Sequence, residues 1–165
     1  MGRDRRLDDL VRLIETGSGS DLWYGGATVL GSLRGVKAPE AAWRPAPDRH
    51  SIWALVLHIA YWEYAVRRRL TEAPSGGFER SPANFPTVPD PATEASWRAD
   101  RRLLREERRR LADAVRGFDE LRLDERVPDS AKHTYADLIY GIVLHDTYHV
   151  GQIQMLKRLY ASVGA

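Results

Sequence analysis

The sequence predicts an all-α protein, a four-helix bundle with either up-and-down connections or a crossover. Two observations predict it. Apolar residues recur at helical spacing over four long stretches, near 5–15, 51–71, 93–116 and 134–161. No stretch sustains the period-two alternation of a half-buried strand, and no internal repeat is visible. Four long helices in one chain pack most simply as a bundle. At 165 residues the chain is long enough for a single domain, 1–165, with a sizeable core.

Each element has its own justification. Leu7, Leu10, Val11 and Ile14 lie on one face of the first helix. The run Thr16-Gly17-Ser18-Gly19-Ser20 then breaks it. After Trp23-Tyr24-Gly25-Gly26 come two short helical pieces, near 27–33 and 38–43, the second stopped by Pro45 and Pro47. Ser51 is a good N-cap for the second long helix, which is apolar nearly all round. Such a helix is either central or shared with a second subunit, so Trp53 and Trp62 point to a homodimer. The stretch 73–91 is rich in proline and glycine and is too long for a simple connection. Its Phe78 and Phe85 suggest that it docks on the bundle. The third long helix carries Trp97, Leu104, Leu111 and Val115 as a narrow stripe among arginines and acids, and Gly117 ends it. A polar connection, 120–133, leads to Thr134, which can cap the last helix.

Composition narrows the function classes. Charged residues are 29% of the chain and the formal net charge is +2, so no polyanion partner is advertised. The arginines of 98–110 are interrupted by Asp100, Glu106 and Glu107, which reads as a solvated, salt-bridged face rather than a nucleic-acid surface. With no cysteine, disulfides, thiolate nucleophiles and thiolate metal sites are excluded. The longest apolar run, 52–64, contains His58 and Glu63 and is too short to span a membrane. The start of the chain lacks the apolar run of a signal peptide. These features lead us to expect a cytoplasmic protein without membrane or nucleic-acid partners.

The chemistry-bearing residues are histidines. His145 and His149 are four apart on the last helix and so share a face with Leu138, Ile142, Gln152, Leu156 and Tyr160. His58 sits mid-helix in the apolar second helix. Such histidines can be hydrogen-bonded core residues; they can equally hold a divalent metal, since three imidazoles leave an ion one open position for water or a thiol. Gln152 is placed to hydrogen-bond a ligand ring, and Tyr61 and Trp62 to line a pocket beside the open position. His50, at the helix entry, reads as a capping or surface residue. Three imidazoles suit zinc or nickel first, with iron or copper as alternatives.

Two motifs together resemble the DinB/YfiT-like superfamily. Ser51-Ile52-Trp53 leading into Leu57-His58-Ile59-Ala60-Tyr61-Trp62-Glu63 is similar to its second-helix motif, and His145-Asp146-Thr147-Tyr148-His149-Val150-Gly151-Gln152-Ile153 to its last-helix motif. The resemblance spans nearly the whole chain. It implies a dimeric four-helix bundle with a metal on His58, His145 and His149. It also implies a reaction on a small-molecule substrate. Thiol transfer from a low-molecular-weight thiol comes first, a metal-dependent hydrolase second, and a non-catalytic metal-binding bundle third. A metalloprotease reading of His145-Asp146-Thr147-Tyr148-His149 falls short, because Asp stands where a Glu is needed.

Overall fold

A computed structural model describes residues 5–15, 27–128 and 130–163. Among them there are six α-helices and no strand: α1 (Arg5–Glu15), α2 (Val29–Ser32), α3 (Ala38–Ala42), α4 (Ile52–Leu70), α5 (Glu94–Arg116) and α6 (Tyr135–Val163). The four long helices end within about two residues of the expected bounds, because local chemistry sets those ends. The Ser51 hydroxyl accepts from Ala54 N at 3.1 Å, and Thr93 Oγ1 accepts from Ser96 N at 3.1 Å. Thr134 and Asp137 bond reciprocally, Thr134 N to Asp137 Oδ2 at 2.8 Å and Asp137 N to Thr134 Oγ1 at 3.1 Å, a capping box with Asp in the usual Glu position. The breaker at 16–20 and the Trp23-Tyr24-Gly25-Gly26 segment lie outside the described residues.

Helix α1 packs on α5 and α6, and α4 packs on both of the same two helices. Cross-helix pairs give the directions. Trp53 meets Asp100 while Arg67 meets Glu107 further along, so α4 and α5 run parallel. His58 meets His145 while Leu55 and Leu156 border one hollow, so α4 and α6 run antiparallel. Two parallel neighbours in sequence need a crossover, and residues 71–93 provide it. The bundle is therefore the crossover form.

The core has two apolar parts. One gathers Trp53, Leu57, Trp97, Leu104 and Ile153 with α2 and α3; the other gathers Leu7, Ile14, Leu111, Tyr135 and Ile139. The α5 stripe of Trp97, Leu104, Leu111 and Val115 is fully buried. Burying an aromatic or aliphatic side chain of this size contributes roughly 1.5–3 kcal/mol. Between the two parts α4 and α6 carry buried polar side chains: His58, Glu63, Asp146 and His149.

Two expectations need correction. The apolar surface of α4 is consumed inside one chain: Trp53 is fully buried, and its indole Nε1 donates to Asp100 Oδ2 at 2.8 Å. That helix is central and leaves no broad face for a second subunit. The charged face of α5 is also not uniformly solvated. Asp100, Glu107 and Arg108 are buried, each with partners on α4 or the crossover.

Candidate metal centre

Antiparallel packing of α4 and α6 points His58 between His145 and His149. The Nε2 atoms of His58 and His145 stand 3.0 Å apart, and those of His149 and His145 3.1 Å. One nitrogen from each ring lies within 4.8 Å of the others. His58 and His149 are buried, and His145 is partly exposed.

The outward nitrogens decide what the inward ones carry. His58 Nδ1 faces the backbone oxygen of Asn84 at 2.7 Å, and a carbonyl can only accept. His149 Nδ1 lies 2.6 Å from Gln152 Oε1. His145 Nδ1 lies 3.4 Å from Asp146 Oδ1, a long contact but again toward an acceptor. In a neutral imidazole whose Nδ1 carries the proton, Nε2 is a bare lone pair. With Nδ1 of His58 and His149 turned to acceptors, their Nε2 lone pairs point toward His145 Nε2, and a cation at that point would accept all three nitrogens.

Protonation does not relieve the crowding. Burial first, then the neighbouring histidines, lower the His58 pKa to about 4, against a partial rise from the Asn84 bond. Burial likewise holds His149 below the usual histidine range, with Gln152 opposing. His58 and His149 thus stay neutral near pH 7, which is the state that ligates a metal. In tetrahedral coordination with metal–nitrogen bonds of about 2.0–2.1 Å, ligand nitrogens stand about 3.3–3.4 Å apart. Two of the three spacings, 3.0 Å and 3.1 Å, are within a few tenths of an ångström of that value. The three histidines are positioned to hold a metal ion.

Behind the histidines lies a second polar group. The Arg108 guanidinium bonds both Glu63 and Asp146, the latter at 2.9 Å. Burial drives the Glu63 carboxyl well above the usual carboxylate range, Arg108 opposing and the Asp146 charge adding to the rise. Nothing singled these residues out in the sequence beyond two acids on apolar helix faces.

A recess of about 420 Å³ opens beside His145, walled by Trp62, Val66, Leu138 and Ile142, with Arg69 and His133 further out. Trp62 thus stands where a pocket residue was expected. Tyr61 does not line this recess. It turns under the crossover against Phe78, 5.5 Å between ring centroids, and borders a neighbouring hollow. The crossover docks as its two phenylalanines suggested: Phe78 packs on Tyr61 and Tyr64, and Phe85 lies flat on His58 at 4.0 Å. His50 is exposed, stacks on the other face of Phe85 at 4.0 Å, and is no part of the histidine cluster.

The fold and the cluster together define a helical bundle with three histidines positioned to hold a metal ion. A family model for the DinB superfamily matches residues 26–153, well over half of the chain and including all three histidines, and the chain belongs to that superfamily. No curated protein and no solved structure gives a match.

Proposed function

We propose that His58, His145 and His149 bind one divalent ion, zinc or nickel first, and that the protein transfers a low-molecular-weight thiol to a small electrophile held in the recess beside His145. The observation that carries this reading is the convergence of three Nε2 atoms beside a partly open, mainly apolar recess that His145 lines. A divalent ion there supplies Lewis acidity, which favours thiolate over thiol at neutral pH. The chain's own residues do the rest. Asn84, Asp146 and Gln152 hold the three rings in the Nδ1–H tautomer. Trp62, Val66, Leu138 and Ile142 shed water from an apolar acceptor. With no cysteine in the sequence, the sulfur must come from a cosubstrate. We place the protein in the cytoplasm, where such thiols are kept reduced.

The test pairs metal-loaded protein with a chloro-aromatic or epoxide acceptor, with and without bacillithiol or mycothiol. Turnover that requires the thiol and vanishes in His149→Ala is expected. Thiol-independent hydrolysis of an ester or amide would replace transfer by the hydrolase reading. Silence in both arms would leave a metal-binding bundle without catalysis.

We also propose a homodimer, built on α6 rather than α4. Tyr140, Leu144, Tyr148, Met155, Leu159 and Val163 are exposed and recur at helical spacing along its outer side, Leu144 at 68% and Tyr148 at 65%. A row of large apolar side chains that long on one helix marks an association surface. Sedimentation at micromolar concentration should show a dimer that Leu144→Lys converts to monomer; a wild-type monomer would remove the proposal.

A further inference from the structure

His145 and His149 take their outward hydrogen-bond partners from α6 itself, Asp146 and Gln152. His58 does not. Its acceptor is the backbone oxygen of Asn84, 26 positions along the chain in the crossover. Asn84 is fixed there twice, because its side-chain Oδ1 accepts from Trp62 Nε1 at 2.9 Å. Its φ of 70° is left-handed, a region that Asn enters more readily than other residues bearing a side chain. Phe85, the next residue, is sandwiched between His58 and His50, with interplanar angles of 13° and 1°. Arg80 ties the same segment to buried Asp100, Nε to Oδ1 at 2.9 Å.

We propose that Asn84 is a positioning residue for the metal centre, and that docking of the 79–88 segment and metal binding are one linked equilibrium. The proposal rests on the metal reading above. The docked segment supplies the acceptor that keeps His58 protonated on Nδ1, and the Phe85 ring holds the imidazole plane. Released, His58 is free to take the other tautomer or turn, and Nε2 leaves the cluster. Outer hydrogen-bond partners of this kind commonly change metal affinity by about 10–100-fold. Linkage is reciprocal, so an ion that needs His58 in this pose must also hold the segment down.

The experiment measures zinc affinity by chelator competition, and amide exchange across 79–88 with and without zinc. Asn84→Ala removes Oδ1 and disfavours the left-handed backbone; it should weaken zinc by about 10–100-fold. Asn84→Asp keeps the acceptor and tolerates the backbone, so it should restore affinity to within a few-fold of wild type. Zinc should slow exchange at Asn84 and Phe85 in the wild type and leave it unchanged in His149→Ala. If Asn84→Ala lowers the stability of the metal-free fold, Trp62→Phe decides instead, since it breaks the Oδ1 bond from the helix side. Wild-type zinc affinity in Asn84→Ala or, where that variant is destabilised, in Trp62→Phe, or exchange indifferent to bound zinc, overturns the proposal while the metal centre stands. A wild-type protein that binds neither zinc nor nickel overturns both.

Discussion

Helices α4 and α6 bury two polar groups side by side, and the two are built on opposite principles. In the first, the positive Arg108 lies between the carboxyl groups of Glu63 and Asp146, so the pairing is made within the protein. In the second, His58, His145 and His149 bring three Nε2 atoms toward one point, 3.0 Å and 3.1 Å apart. Each polar group left unsatisfied in an apolar interior costs about 1–3 kcal/mol. The arginine group meets most of that demand from its own side chains, with Glu63 Oε2 and Arg108 Nε left without a hydrogen-bond partner among the described residues. The histidine group instead turns one nitrogen of each ring toward a common point, where the three are positioned to hold a metal ion. Burial alone therefore does not mark a functional site; the kinds of group brought together do.

The contrast is easiest to break at Arg108. Arg108→Met leaves two buried carboxyl groups facing each other, and should cost about 3–5 kcal/mol of folding stability by chemical denaturation. A loss under about 1 kcal/mol would show that the guanidinium is not the keystone of that group. His149→Ala should do the reverse. The metal-free protein should be as stable as wild type or more so, while metal affinity falls by more than the ~100-fold upper range for removing a supporting hydrogen bond. Equilibrium dialysis checks the second statement and thermal melting the first. Gln152→Ala keeps all three ligands and removes the acceptor behind His149, so a smaller loss of about 10–100-fold is expected in the same dialysis.

Acidity sharpens the comparison with the smallest effects. His58 titrates near 6.5 unfolded and at about 4 in the metal-free fold, so its contribution is present above pH 6.5 and is lost as pH falls toward 4. Glu63 has the opposite sign. Its raised pKa means that the fold binds the proton more tightly, so its contribution is present at low pH and is lost as pH rises above the ordinary carboxylate range. Melting curves of the metal-free protein across pH 4–9 should show both limbs. Glu63→Gln should flatten the alkaline limb and leave the acid limb in place.

Much of this was legible in the residues. The long helices announced themselves through stripes such as Trp97–Leu104–Leu111 and through caps such as Ser51 and Thr134, because those signals are local. The histidine cluster was legible because i,i+4 spacing on one helix and an isolated polar residue in an apolar run survive without knowledge of the fold. Asn84 was not, since it acts on His58 through a backbone oxygen that every residue possesses. Arg108 was hidden for a different reason. It looks like its solvated neighbours Arg105 and Arg109, and only the parallel packing of α5 on α4 turns it inward toward Glu63. The apolar character of α4 did not by itself signal a partner, because an all-apolar helix can be satisfied by its own chain, as Trp53 is.

The recess at His145 has a consequence for traffic. His58 is roofed by Phe85 and His149 is backed by Gln152, whereas His145 faces the 420 Å³ opening. An ion leaving the cluster by that opening shares its doorway with any organic molecule seated there. A seated molecule would delay extraction of the ion by a chelator even where it hardly alters how tightly the ion is held at equilibrium. The rate of metal stripping thus becomes an assay for occupants of the recess: a compound that slows it has found the doorway, whether or not it is turned over.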